Sequence, residues 1–224
     1  MNDFQKNYVN NLNNYFGSKY IDDERLFRTV NRFLNFNKKK KIEENDKLLD
    51  LGSGTGSFVK VCTKYKINSV GLDLAKDDID FDNDKLPLKD NEFDYITMIN
   101  LIEHLKNPKN LVAEIRRVAK NNAILIICTP NFKYAYENFY DDPTHCSPFT
   151  NISLKQFLKN HDFKTINIAP FLVDKSEFFW KFKYSFKLAS LLPFTNHEST
   201  NNIFIPKFLR GKSTSMICIS SIAK

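Results

Sequence analysis

Leu48-Leu49-Asp50-Leu51-Gly52-Ser53-Gly54-Thr55-Gly56 decides the fold. A short apolar strand, Lys47–Leu51, ends in three glycines, and Phe58, Val61, Cys62 and Tyr65 then repeat at helical spacing. The order is strand, turn, helix. Glycine permits positive φ and lets a ligand approach the backbone with no Cβ in the way. The helix that follows offers unpaired N–H groups at its N-terminus. The chain has only 6 glycines in 224 residues, so three in one turn mark a backbone requirement.

The next informative stretch is Val70-Gly71-Leu72-Asp73-Leu74, in which Asp73 stands 19 residues beyond Gly54. A carboxylate at the end of a second strand suits the two hydroxyls of a ribose, and the structural alternative is an Asp that caps the next turn. Nicotinamide enzymes use G-x-G-x-x-G, whose third glycine lets the helix pack close beneath a pyrophosphate. Here the pattern is G-x-G-x-G, preceded by Asp50. S-adenosylmethionine carries no phosphate. Its amino-acid end has an ammonium that needs a carboxylate or carbonyls, which Asp50 supplies directly or through water, and a carboxylate that suits backbone N–H groups.

Leu48 to Gly56 resembles the first motif of class I S-adenosylmethionine-dependent methyltransferases, and Val70 to Leu74 the second. Leu86-Pro87-Leu88-Lys89-Asp90-Asn91-Glu92-Phe93-Asp94 is similar to the LPFxDxxFD entry to the family's fourth strand, and Glu103-His104-Leu105 to the EHL ending after it. The likeness runs over residues 47–163. It implies a three-layer α/β Rossmann-like sandwich with a seven-stranded, mostly parallel sheet and an antiparallel last strand. It also implies S-adenosylmethionine as cofactor, held by Asp50, Gly52, Ser53, Gly54, Gly56, Asp73 and Leu74. Family members read the adenine with an acidic residue after the third strand; Asp82 with Asn83 fits, and Asp80 and Asp84 are rivals. Asn100 should face the cofactor. A strand at residues 79–82 is expected, but few residues separate Asp73 from Leu86, so the crossover there must be abbreviated.

Methyl transfer from a sulfonium is an in-line displacement, so the protein's task is alignment and exclusion of water. A base is needed where the nucleophile begins protonated. His104 and His145 are the candidate catalytic residues, the latter in Asp142-Pro143-Thr144-His145-Cys146-Ser147-Pro148-Phe149. That segment resembles a DPTHxxPF stretch of methyltransferases associated with surface glycan or lipid synthesis, and the structural alternative is a histidine pinning a rigid loop. Some relatives bind a metal with a second Glu three residues before the EH pair. Asn100 stands there, so no metal is expected. The acceptor implied is a small molecule, glycan or lipid-linked compound, methylated at oxygen. The net charge of +7 raises RNA as a rival acceptor. The Asn/Asp-Pro-Pro-Tyr/Phe tetrapeptide of amino-directed nucleic-acid enzymes is replaced by Ile99-Asn100-Leu101-Ile102, which argues against nucleic acid. A non-catalytic S-adenosylmethionine-binding regulator is the remaining class, and the intact glycine loop argues against it.

The organisation expected is one methyltransferase domain: an N-terminal helical cap (1–46), the cofactor core (47–168), a substrate-side lid (169–213) and a last strand (214–224). Ser153 should cap a helix, and Asn121-Asn122 should make a tight turn. Residues 176–192 plot as one helix with two apolar faces, one with Phe178, Phe179, Phe182, Phe186 and Ala189, the other with Trp180, Tyr184, Leu188 and Leu191, and Lys183 and Lys187 between them. Such a helix covers the sheet on one side and suits an acceptor, a second copy in a homodimer, or peripheral membrane contact on the other. The N-terminus does not read as a signal peptide, the four cysteines form no CxxC pair, and a cytoplasmic protein, monomer or homodimer, is expected.

Overall fold

Strands apolar on both faces must be covered on both faces, and β-strands and helices alternate along this chain accordingly. The computed structural model describes residues 23–172, 179, 181–182, 184–192, 194–196 and 210–222. In chain order the elements are α1 (Asp23–Phe36), β1 (Lys47–Leu51), α2 (Ser57–Lys64), β2 (Asn68–Leu72), α3 (Leu74–Asp77), β3 (Phe93–Ile99), α4 (Pro108–Val118) and β4 (Ala119–Pro130). They continue with α5 (Phe132–Ala135), α6 (Asn151–Asn160), β5 (Phe163–Pro170), α7 (Ser185–Ser190), β6 (Phe194–Asn196), β7 (Arg210–Ser213) and β8 (Ser215–Ile222). Short 3-10 turns lie at Ile102–His104 and Phe139–Asp141. No helix among the described residues is long and apolar enough to cross a membrane.

The main sheet has the order β2-β1-β3-β4-β8-β5. Its first four strands are mutually parallel, while β8 runs antiparallel to both β4 and β5. Side-chain alternation divides the interior into two cores. Leu49, Leu51, Leu125, Ile127 and Cys218 face α4 and α6, whose Leu111, Ile115, Leu154 and Leu158 cover them. Leu48, Ile124, Ile126, Ile217 and Ile219 face the other way, onto α1 and α2. α1 earns its place by pattern: Leu26, Phe27, Val30, Phe33 and Leu34 recur at helical spacing and all are buried.

Several sequence expectations change in detail. The sheet holds six strands among the described residues, not seven, because residues 79–82 form no strand. After α3 ends on Asp78 at φ 56°, the acidic run folds back on itself. The Asp84 carboxylate accepts from Asp80 N–H, the Asp80 carboxylate accepts from Asp82 N–H, and Ile79 and Phe81 are buried beneath. Asp and Asn side chains that satisfy nearby backbone in this way compete with a strand ladder. Thr150, not Ser153, is the N-cap of α6; the two form a reciprocal capping box. Asn122 does take the left-handed conformation, φ 64°. The helix expected over 176–192 is broken: Phe182 and Tyr184 lie outside helix, and α7 begins at Ser185. Phe182, Tyr184, Leu188 and Leu191 are exposed while Ala189 is buried. Phe178, Trp180 and Lys183 lie outside the described residues.

Gly71 in β2 is a point where packing forbids a side chain. A Cβ there would sit 2.8 Å from Ser53 Cβ and Oγ and from Val59 Cγ2. We expect Gly71→Ala to lower stability by ~1–3 kcal/mol through overpacking. Thermal denaturation should show this as a fall of several degrees, at about 2–4 °C per kcal/mol.

Candidate active site

The carboxyl ends of β1, β2, β3 and β4 meet on one rim, the place where open α/β sheets bind ligands. The glycine loop crosses that rim. Gly52, Gly54 and Gly56 have φ of 74°, 51° and 73°, a conformation that Cβ-bearing residues rarely adopt. The N–H groups of Gly52 and Ser53 both donate to Leu72 O, at 2.9 and 3.0 Å, tying the turn to β2. Asp73 fastens the crest: its Oδ2 accepts from Gly54 N–H at 2.8 Å and its Oδ1 from Ala75 N–H at 2.9 Å, which also caps α3. Beyond Gly54 and Gly56 a Cβ would meet nothing within 4 Å among the described residues, whereas at Gly52 it would meet Leu101 at 3.1 Å. The crest is thus open to a ligand and the root is packed.

Beneath the loop lies Asp50, 3% exposed, with Thr97 Oγ1 donating to its Oδ1 at 2.7 Å. Burial pushes its carboxyl up to about 7, against the Thr97 bond, and the charges of Asp23 and Asp73 add to the rise. Ser53 Oγ is buried with no hydrogen-bond partner among the described residues. An orphaned hydroxyl and a destabilised buried acid, under a loop of bare backbone, fit the amino-acid end of S-adenosylmethionine. Leu74 is the buried first residue of α3, directly after Asp73.

The turn after α3 is fastened to the start of α4. Asp82 accepts from Asn107 N–H on Oδ1 at 2.7 Å and from Lys106 N–H on Oδ2 at 3.1 Å, so its carboxylate fastens the start of α4. Asn83 Nδ2 donates to Asp80 Oδ2. Asn100, at φ 50°, is exposed at the end of β3, where its N–H donates to Cys128 O at 2.8 Å.

A second cluster stands on the same rim. Glu103 and His104 lie in the 3-10 turn after β3, and His145 on the loop between α5 and α6. Their rings are 4.7 Å apart between centroids. One nitrogen of each ring and one carboxylate oxygen of Glu103 all lie within 4.8 Å of one another. The tautomers follow from the partners. His145 Nδ1 is 2.6 Å from Phe139 O, which only accepts, so Nδ1 carries the proton. Thr144 Oγ1 donates its proton to Asp142 Oδ1 at 2.6 Å, so His104 Nδ1, at 2.8 Å from Thr144 Oγ1, must be a donor too. Each ring keeps Nε2 with its lone pair. Burial, reinforced by the neighbouring His145, lowers His104 to about 4. Asp142 stays low despite its burial because Thr144 donates twice to it. Glu103 is 1% exposed; Thr129 Oγ1 donates to its Oε2 at 2.9 Å, and its Oε1 has no hydrogen-bond partner among the described residues. Burial raises Glu103 to about 7. Its backbone carbonyl accepts from Cys146 and Ser147, joining the two loops.

Sequence reasoning named His104 and His145 separately. It did not single out Thr144 and Asp142 as supports of His104, or Thr129 as the support of Glu103, although Asp142-Pro143-Thr144-His145 carries the signal of a side chain capping its own turn.

Residues 19–168 match the family described as methyltransferase domain. An uncharacterised protein of Methanocaldococcus jannaschii is 31% identical over 135 residues, 56% of this chain and 55% of that protein. Norajmaline N-methyltransferase of Rauvolfia serpentina is 28% identical over 133 residues, 50% of this chain and 44% of that enzyme. The chain spans about half the length of the curated relatives it matches. In fold it is similar to the crystal structure of an S-adenosylmethionine-dependent methyltransferase from Archaeoglobus fulgidus, with TM-score 0.63 and 20% identity over 96% of this chain and 99% of that one.

Asp50 makes a pH prediction. Its folded-state pKa, about 7, lies above the ordinary carboxylate value, so the folded protein holds a proton that the unfolded chain releases. Its contribution to stability is therefore fully present below about pH 4, the unfolded value, and is lost as pH rises toward 7. We expect the melting temperature of Asp50→Asn to fall less than that of the parent over this interval; parallel profiles would refute the assignment.

Proposed function

The chain belongs to the methyltransferase-domain family, and on that premise we propose that it transfers a methyl group from S-adenosylmethionine to the oxygen of a small-molecule, glycan or lipid-linked acceptor. The observation that carries this reading is the glycine crest, with three positive φ values and, among the described residues, open space above Gly54 and Gly56, fastened by Asp73. When bound, the cofactor supplies a methyl group already activated on sulfonium. Gly52, Ser53, Gly54 and Gly56 would line its amino-acid end, with Asp50 beneath it and Asp73 and Leu74 beside the ribose. Asp82 and Asn83 shape the adenine side through the turn that Asp82 fastens to α4, and Asn100 faces the cofactor from the end of β3.

What remains for the chain is to align the acceptor, exclude water and receive a proton. A hydroxyl needs a base as it attacks. His145 is the better of the two imidazoles, because its Nδ1–H is held by Phe139 O and its Nε2 lone pair is available, while burial makes His104 a weak base. His104, backed by Thr144 and Asp142, orients the pair. Support for an amphiphilic acceptor comes from α7 and its flank, where Phe182, Tyr184, Leu188 and Leu191 are exposed beside Lys181 and Lys187. These residues also suit peripheral contact with a membrane surface.

Isothermal titration should show S-adenosylmethionine binding to the parent and a large loss of affinity in Asp73→Ala and Gly54→Val. With a methyl-labelled cofactor and acceptor extracts, His145→Ala should slow turnover by ~10²–10⁴-fold, the range for a positioned base, with cofactor affinity unchanged. Label on nitrogen would overturn the oxygen reading, and binding of NAD in place of S-adenosylmethionine would overturn the whole.

A further inference from the structure

We propose that Glu103 is a positioning residue of the transfer, its buried carboxylate supporting the positive charge that His145 takes on as it receives the acceptor's proton. The proposal rests on the reading of His145 as the base. Two geometric facts carry it. A carboxyl oxygen of Glu103, a ring nitrogen of His104 and one of His145 lie within 4.8 Å of one another. Thr129 Oγ1 donates to Glu103 Oε2, whereas Oε1 is buried with no hydrogen-bond partner among the described residues. An ionised oxygen left so is costly in the resting site and is satisfied when a positive charge forms beside it. The main chain of Glu103 joins the two loops, its carbonyl accepting from Cys146 and Ser147 N–H, so the side chain is not needed for that task.

The groups around the pair leave Glu103 in that role. His145 Nδ1–H is bound to Phe139 O, so the proton arrives at Nε2. The acceptor's O–H bond breaks, its bonding pair stays on the attacking oxygen, the proton joins the Nε2 lone pair, and the imidazolium later gives it to water. His104 stays neutral, lowered by burial to about 4. The Cys128 thiol, pushed up by burial, stays neutral as well. Asp142 Oδ2 lies 3.9 Å from His145 Nε2 and also favours the charge. Asp142 is partly exposed and already accepts from Thr144 N–H and Oγ1, whereas the Glu103 carboxylate acts through a dry interior, where a charge is felt more strongly. Burial raises Glu103 to about 7, with the charge of Asp142 adding to the rise, so it ionises where a histidine base operates. Below that pH Glu103 holds a proton; above it the carboxylate is charged and the imidazole is ready to receive one. Opposite charges this close favour one another, so ionised Glu103 strengthens the base.

Histidine ring nitrogen NMR of the cofactor-free full chain tests the pairing, with the His145 signals identified by their loss in His145→Gln. Glu103→Gln keeps an oxygen for Thr129 Oγ1 and removes the charge, so the His145 signals are expected to titrate at lower pH in it than in the parent. Thr129→Val removes the hydrogen bond that lowers Glu103 and should move the acidic limb of turnover the other way, to higher pH. Turnover is read with methyl-labelled S-adenosylmethionine and acceptor extract. Glu103→Gln should lower kcat more than about tenfold, with KM for S-adenosylmethionine unchanged. It should add no further loss in a chain that already carries His145→Ala. Circular dichroism checks folding; where Glu103→Gln does not fold, Thr129→Val carries the test, and an unmoved limb there overturns the role. Ring signals that titrate alike in the parent and Glu103→Gln overturn it too, as do losses in Glu103→Gln and His145→Ala that multiply in the double variant. Absence of S-adenosylmethionine binding overturns the methyltransferase reading instead, and the ring signals still decide whether Glu103 and His145 act as a pair.

Discussion

The hydrogen bond from Gly54 N–H to the Asp73 carboxylate, at 2.8 Å, holds together parts of the chain that are otherwise only neighbours. Asp73 ends β2 and caps α3, so the same side chain fixes where the second strand stops and how the glycine loop stands above it. The loop in turn depends on β2 for its root, through Leu72 O, and on a bare Gly71 for room beneath Ser53. Remove any one of these and the crest has no fixed height over the rim. A glycine loop alone would be too pliable to orient a cofactor; glycines give conformational freedom, and it is the carboxylate and the packing that take it away again.

Shortening the second crossover shifts work onto side chains. With no strand beside β2 among the described residues, that edge of the sheet is left partly exposed, with Asn68 and Val70 open to solvent. The acidic turn that replaces the strand is held by its own carboxylates and by Asp82 at the start of α4. The stretch that follows is anchored by Arg117, which donates to Leu86 O, Leu88 O and Asp90, while Glu114 accepts from Leu86 N–H. Glu114 and Arg117 form one network with the loop, and their hydrogen bonds to backbone matter more than the ion pair as such.

The fold was legible because its signals are local. Three glycines, an Asp at the end of the next strand and alternating apolar periods each depend on a few adjacent residues, and the cofactor loop follows from them. The missing strand was not legible, because Ile79 and Phe81 are as buried as strand residues would be and only their turn geometry differs. Nor was the helix break near Phe182, where apolar periodicity continues through a chain that does not. The Glu103, His104 and His145 cluster was half legible. Each histidine sits in a recognisable segment, but their meeting depends on two loops joined by hydrogen bonds from Cys146 and Ser147 to Glu103 O. A contact of that kind has no sequence period.

Two buried acids on one rim, Asp50 and Glu103, explain why this end of the molecule departs from a well-packed core. Burial raises each to about 7, and each therefore lowers stability at neutral pH relative to an apolar residue of the same shape. Such groups are retained where a ligand repays them, and Asp50 is sited where the ammonium of the cofactor is proposed to arrive. Binding would ionise the Asp50 carboxyl and exchange a proton for a cation without leaving net charge in the interior. The neighbouring supports are neutral, namely Thr97 on Asp50 and Thr129 on Glu103. A lysine or arginine in either place would have stabilised the empty fold and competed with the ligand. The two threonines hold the acids in position and leave their charge available, which ties the strain in the rim to the chemistry proposed for it.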